Sequence, residues 1–156
     1  MKTKISQINM PKISIIGSGN LATHLGSALQ GNGYSIAQVC SKNIANAKEL
    51  SNGLNCEYTD DLSQLMPVDL VIIAVNDDAI EEVSKQIQMP KVHTSGSKSI
   101  GILGASKSPI GVFYPLQTFS KNKKVDFKNI PFCIEGSNKD FTSLLLKIAA
   151  DLSNNV

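Results

Sequence analysis

Residues 12–22, Lys-Ile-Ser-Ile-Ile-Gly-Ser-Gly-Asn-Leu-Ala, are the stretch with the clearest chemical consequence. The apolar run Ile13, Ile15 and Ile16 reads as a buried strand. It feeds into Gly17-x-Gly19-x-x-Ala22, and Leu21, Leu25, Ala28 and Leu29 then recur at helical spacing. Strand, glycine turn and helix in that order read as a dinucleotide-binding loop, with an ordinary tight β–α turn as the competing reading. Gly17 permits the tight turn, Gly19 leaves room for a pyrophosphate to approach the backbone, and Ala22 lets the helix pack closely on the strand. The free N–H groups at the helix start, around Asn20 and Leu21, would face the phosphates with the positive end of the helix dipole.

Units of the same kind follow along the chain. Gly31-Asn32-Gly33 reads as the stop of the first helix, Ser35 to Cys40 as a second strand and Ile44 to Leu50 as a second helix ending at Asn52-Gly53. Cys56 to Thr59 is a short strand candidate, and Asp60 to Met66 a short helix. The continuous apolar run Leu70 to Val75 has the composition of a central parallel strand covered on both faces. Asn76, Asp77 and Asp78 could cap a helix with the stripe Ile80, Val83 and Ile87, ended by Pro90. Lys91 to Thr94, Ile110 to Leu116 and Ile130 to Glu135 complete the strands. Ser137 with Asp140 has the form of a capping box for a last helix over Phe141 to Leu152. Repeated βα units predict an α/β fold, a doubly wound and mainly parallel sheet in a single domain, with ligands at the carboxyl ends of the strands. The segments to inspect are therefore 17–20, 40–43, 74–78, 93–97 and 114–119.

The end of the second strand bears on which nucleotide is held. An acid there grips the ribose hydroxyls in many NAD-, FAD- and adenosylmethionine-binding proteins. Here the strand ends Val39-Cys40-Ser41-Lys42-Asn43. Lys42 would attract a 2′-phosphate and Ser41 and Asn43 could donate hydrogen bonds to it, so NADP(H) is preferred over NAD(H). The competing reading is that Ser41 or Asn43 caps the next helix and Lys42 is solvated.

Composition removes several other classes. The chain has 156 residues, 42% hydrophobic and 18% charged, with a net charge of +2, which suits one globular domain and gives no argument for nucleic acid or an anionic membrane as partner. Lys121, Lys123 and Lys124 form the one dense basic run, which reads as a solvated loop. Residues 1–7 lack the apolar block of a signal peptide, no segment is long enough to span a bilayer, and Cys40, Cys56 and Cys133 are scattered. A cytoplasmic protein with free thiols is expected. Two histidines are too few for a His-based metal site, so no metal is expected. His24 falls off the apolar stripe of its helix and reads as structural or solvated, whereas His93 follows a strand at the expected cleft edge and is read equally as a satisfied or a catalytic histidine. Ser95 lacks the G-x-S-x-G elbow of a hydrolase nucleophile.

Four segments together resemble a known bacterial group: Gly17-Ser-Gly-Asn-Leu-Ala22, Ala74-Val-Asn-Asp-Asp-Ala-Ile80, His93-Thr-Ser-Gly96 and Gly111-Val-Phe-Tyr-Pro-Leu-Gln-Thr-Phe119. These are Rossmann-like proteins described as NADP oxidoreductases, in which this domain precedes a helical one. They are distant relatives of pyrroline-carboxylate reductase, ketopantoate reductase and prephenate dehydrogenase. The resemblance runs from about Lys12 to Leu152. It implies that Gly17, Ser18, Gly19, Asn20 and Leu21 hold the pyrophosphate and that Ser41 and Lys42 lie by the adenosine ribose. It implies that Ala74, Val75 and Asn76 line the nicotinamide side. His93, Thr94, Ser95 and Gly96 would meet the reacting carbon, with His93 and Ser95 the catalytic candidates and Thr94 also a cofactor contact. Many such relatives carry His before Pro115, where this chain has Tyr114.

The function expected is an NADP(H)-binding oxidoreductase domain that passes a hydride between nicotinamide and a small carbonyl, imine or hydroxyl compound. A non-catalytic nucleotide-binding module is the second class, and methyl transfer from adenosylmethionine is disfavoured by the missing acid. The chain stops at Val156, before the helical domain of the resembling enzymes, so it is expected to bind cofactor without turnover. Homodimerisation is expected chiefly where that domain is present.

Overall fold

The computed structural model describes residues 10–156. The stretch read as lacking a signal-peptide block, residues 1–7, and the start of the single-domain assignment lie outside the described residues. Among these residues seven strands form one sheet: β1 (Lys12–Ile16), β2 (Ser35–Cys40), β3 (Glu57–Thr59), β4 (Leu70–Ile73), β5 (Lys91–His93), β6 (Ile110–Pro115) and β7 (Phe132–Gly136). Their order is β3-β2-β1-β4-β5-β6-β7, with every neighbouring pair parallel except β6 with β7. The order reverses between β1 and β4, which opens a crevice at the carboxyl ends of those two strands.

Among the described residues four α-helices cover the sheet: α1 (Asn20–Gly31), α2 (Ile44–Leu54), α3 (Ile80–Lys85) and α4 (Lys139–Leu152). Alternate side chains of β4 go to opposite faces, which is why its sequence is apolar without a break. Leu70 and Ile72 join the core under α1, α2 and α4, with Leu25, Leu29, Leu54 and Leu145. Val71 and Ile73 join the core under α3, with Ile80, Val83 and Ile87.

Several element ends differ from the sequence expectation. α2 runs through Asn52-Gly53 and stops at Asn55 (φ 52°, ψ 52°), since Leu54 is buried in the core. Asn76, Asp77 and Asp78 cap nothing with their side chains; a 3₁₀ turn, Asp77–Ala79, leads into α3 instead. α3 is shorter than its stripe suggests. Lys91 reaches from β5 to donate to the carbonyls of Ser84 (2.7 Å) and Ile87 (2.8 Å), and burial pushes its amine below the ordinary lysine value. Residues 60–66 hold only a 3₁₀ turn, Leu62–Gln64. The cap of α4 is Asn138, whose Oδ1 accepts from the Phe141 N–H (2.8 Å), while Ser137 accepts from the Ile110 N–H (3.0 Å) and so ties α4 to β6.

Candidate functional site

The glycine loop is clamped at the switch point. Gly17 donates its N–H to the Cys40 carbonyl (2.7 Å), and Ala74 donates to the Ile16 carbonyl (2.8 Å). Gly17 has φ +114°, and a Cβ placed on it would stand 2.2 Å from the Ala74 carbonyl oxygen. The turn therefore needs glycine for its own folding. Gly19 is different. Its φ of −79° suits any residue, and a Cβ there would meet nothing within 4 Å. The empty space beside it lies at the start of α1, which has no side-chain cap. The first N–H groups of a helix without such a cap remain available to an anion.

This space belongs to a cleft of about 710 Å³. The glycine loop (Gly17, Ser18, Gly19), the end of β2 (Ser41, Lys42) and the end of β4 (Ala74, Val75, Asn76) all line it, so eight of the residues singled out by sequence share one wall system. The Ser18 and Ser41 hydroxyls meet at 2.7 Å, joining the first two of those segments. Asn20 and Leu21 are not among the lining residues. The Asn20 side-chain amide donates to the Phe119 carbonyl (3.0 Å) and Leu21 packs on the core. Asn43 serves as the cap of α2, its Oδ1 accepting from the Asn46 N–H (3.0 Å).

Sequence reading missed one side of the cleft. Asp60 and Asp61, just after β3, also line it. The signal was available: the rule that ligands meet the carboxyl ends of strands applies to β3 as much as to its neighbours. Asp61 accepts from both the Ser63 hydroxyl (2.8 Å) and the Ser63 N–H (2.9 Å), which hold its carboxyl below the usual range. Burial, aided by Asp60 and Asp61, pushes the Cys40 thiol up to about 11, so it stays protonated at neutral pH.

At the end of β5 the predicted residues come together with their own loop. His93 is fully buried. Its Nδ1 accepts from the Ser95 N–H (3.0 Å) and its Nε2–H donates to the Ser99 carbonyl (3.0 Å), so both ring nitrogens are engaged. Thr94 donates to the Ile73 carbonyl (3.4 Å). Ser95 Oγ accepts from the N–H groups of Ser97 and Lys98, each at 3.2 Å. None of His93, Thr94 and Ser95 lines the main cleft. The burial of these polar groups explains the arrangement, since each must find a partner inside the protein. What they build is a tight 95–99 turn. Gly96 lies flat under the Tyr114 ring, where a Cβ would stand 2.4 Å from a ring carbon.

Ser97 ties that turn to the 3₁₀ turn after β4 by donating to Asp77 Oδ2 (2.7 Å). This bond first, and Ser95 second, keep the Asp77 carboxyl below its ordinary value. A carboxyl held low in the folded state stabilises it above the unfolded value and loses that contribution as pH falls through the lowered one. The turn should therefore stay anchored at neutral pH and loosen on acidification, with the Ser97 and Lys98 amides losing protection relative to their intrinsic exchange rates in an amide-exchange series. Equal exchange in the parent and Asp77→Asn at pH 7 would rule out the anchor.

Among the described residues no group of three or more His, Cys, Asp or Glu could hold a metal ion, and no helix is long and apolar enough to cross a membrane.

Comparison with known proteins agrees with this geometry. Residues 12–96 match the family described as NADP oxidoreductase, coenzyme F420-dependent. The crystal structure of a Bacteroides fragilis protein provisionally named an NADP oxidoreductase is 41% identical, with a TM-score of 0.89 over 94% of this chain and 59% of that one. A pyrroline-5-carboxylate reductase from Coxiella burnetii is 18% identical, with a TM-score of 0.76 over 95% of this chain and 58% of that one. A prephenate dehydrogenase from A. aeolicus, solved with hydroxyphenyl propionate and NAD+, is 13% identical, with a TM-score of 0.77 over 96% of this chain and 61% of that one. The last two likenesses show the fold alone. This chain thus spans 58–61% of the length of these three structures. Among curated proteins no sequence matches.

Proposed function

The chain belongs to the NADP oxidoreductase, coenzyme F420-dependent family, and on that premise we propose that it is the NADP(H)-binding part of a reductase or dehydrogenase acting on a small carbonyl, imine or hydroxyl compound. The observation that carries this reading is the space beside Gly19, which the protein's own packing leaves open and which a single Cβ would begin to fill. A cleft of about 710 Å³ falls within the roughly 300–1,000 Å³ usual for ligand sites. Gly17, Ser18 and Gly19 would hold the pyrophosphate, Ser41 and Lys42 the adenosine end, and Ala74, Val75 and Asn76 the nicotinamide side. When bound, the nicotinamide supplies or accepts the hydride. The chain's own share is to orient the ring against the end of β4 and to present the 95–99 turn, with Tyr114 beside it, on the acceptor side.

Preference for the phosphorylated cofactor rests on Lys42, which lines the cleft next to Ser41 and has no ion-pair partner among the described residues. Asp60 opposes it from the end of β3. A hydrogen bond to a charged group contributes about 1.5–3 kcal/mol, so NADPH should bind about 10- to 100-fold more tightly than NADH. Lys42→Ala should remove most of that difference and leave NADH binding nearly unchanged. Equal affinities in the parent chain, measured by calorimetry, would overturn the preference.

A second reading, a nucleotide-binding module with no chemistry of its own, is favoured by the full engagement of the His93 ring and of Ser95 Oγ. Turnover in an assay of NADPH absorbance with small keto acids and imines would overturn this second reading. Turnover that Tyr114→Phe abolishes would support the enzyme and point to this phenol as its proton donor.

A further inference from the structure

After β6 the chain crosses the outer face of α1 as a strap. The Asn20 amide donates to the Phe119 carbonyl (3.0 Å) and His24 Nε2–H donates to the Ser120 carbonyl (2.6 Å). Asn20 and His24 stand one turn apart on the same face of the helix, so the two bonds act on consecutive residues of the strap. The Phe119 ring stacks on both His24 (centroids 5.7 Å apart) and Phe127 (5.6 Å). Residues 119 and 120 are thereby fixed to the helix that begins at the glycine loop.

The residue that follows is Lys121. It lines a second cleft, of about 340 Å³, together with Ser18 and Thr23 of the α1 side and Asn46 and Glu49 of α2. Ser18 lines both this cleft and the main one, and its hydroxyl meets that of Ser41 at 2.7 Å. Lys42 follows Ser41 on the main cleft and Lys121 shares the second cleft with Ser18, and the Ser18–Ser41 hydroxyl pair joins the two clefts. Neither lysine has an ion-pair partner among the described residues, and Glu49 is the one acid lining the second cleft.

A phosphate monoester carries about −1.5 to −2 charges at pH 7. One lysine answers only about half to two thirds of that, and Asp60 and Asp61 on the main cleft make the deficit larger. We propose that Lys121, delivered by the strap, is the second cation for the adenosine 2′-phosphate and so determines cofactor specificity together with Lys42. The inference rests on the reading of the main cleft as an NADP(H) site. It gives the basic run 121–124 a purpose at one position rather than a general surface charge.

The test isolates the phosphate by titrating the full chain with adenosine 2′,5′-bisphosphate and with 5′-AMP in a calorimeter. The parent should bind the bisphosphate more tightly. Lys121→Gln should weaken the bisphosphate about 10-fold and leave 5′-AMP unchanged. Lys124→Gln removes the same charge from the same strap at a residue that lines neither cleft with Ser18, and it should cost no more than about twofold because salt screens it. If the parent keeps its preference and Lys121→Gln matches it, this inference falls and the NADP(H) reading stands. Equal losses in the two variants would assign the effect to diffuse charge and also overturn it. A parent with no preference for the bisphosphate would sink the NADP(H) reading, and this inference with it.

Discussion

Gly19→Val is expected to abolish dinucleotide binding in a protein that still folds. The backbone at Gly19 (φ −79°, ψ −165°) lies in the extended region that valine adopts without strain. A Cβ at this position meets no protein atom within 4 Å, so neither the sheet nor α1 has to move. The branched side chain instead takes up the space beside the first N–H groups of α1, where a pyrophosphate would sit. Loss of that contact and the clash together should lower affinity at least about 100-fold, equivalent to roughly 2.7 kcal/mol. Calorimetry with NADPH measures the loss. The thermal midpoint of the variant should stay within a few degrees of the parent, about what a sub-kcal/mol change produces in a domain of this size. Binding retained in a folded variant would place the ligand elsewhere on the molecule.

Gly17→Ala, two residues earlier in the same motif, should have the opposite profile. Here φ is +114°, a conformation that costs an L-residue about 1–3 kcal/mol. The added carbon would also stand 2.2 Å from the Ala74 oxygen and 2.9 Å from the Ala74 carbonyl carbon. Both are backbone atoms at the end of β4, held by the Ala74 N–H bond to Ile16, so they cannot swing aside as a side-chain tip would. The combined cost should exceed about 3 kcal/mol, a loss of roughly 10 °C in thermal midpoint. A variant that melts within about 2 °C of the parent would show that the turn relaxes cheaply. The two glycines would thus separate what the loop needs in order to fold from what it needs in order to bind.

The sequence alone determined the order of the elements, the glycine loop and the cleft residues at the ends of β1, β2 and β4. Those signals are local. Side-chain period, glycine spacing and an unbroken apolar run report on a few neighbouring residues, and the rule for parallel sheets converts them into a place. The resemblance to the oxidoreductase family drew on the same short motifs, and the family match over residues 12–96 agrees with it.

Tertiary structure decided which polar side chains are free and which are spent, because that depends on segments far apart in the chain. Asn20 reaches a carbonyl 99 residues away and His24 one 96 residues away, and neither bond has a local signature. Asn43 and Asn138 were settled as caps, while Ser137 was drawn off to β6 by the N–H of Ile110. His93 reads equally from sequence as a catalytic or a satisfied histidine. The 95–99 turn folds back on its ring and engages both nitrogens, since a fully buried imidazole must satisfy them within the protein. Asp60 and Asp61 share the cleft because β3 lies beside β2, a neighbour relation that hydrogen bonding between strands creates and residue period does not record.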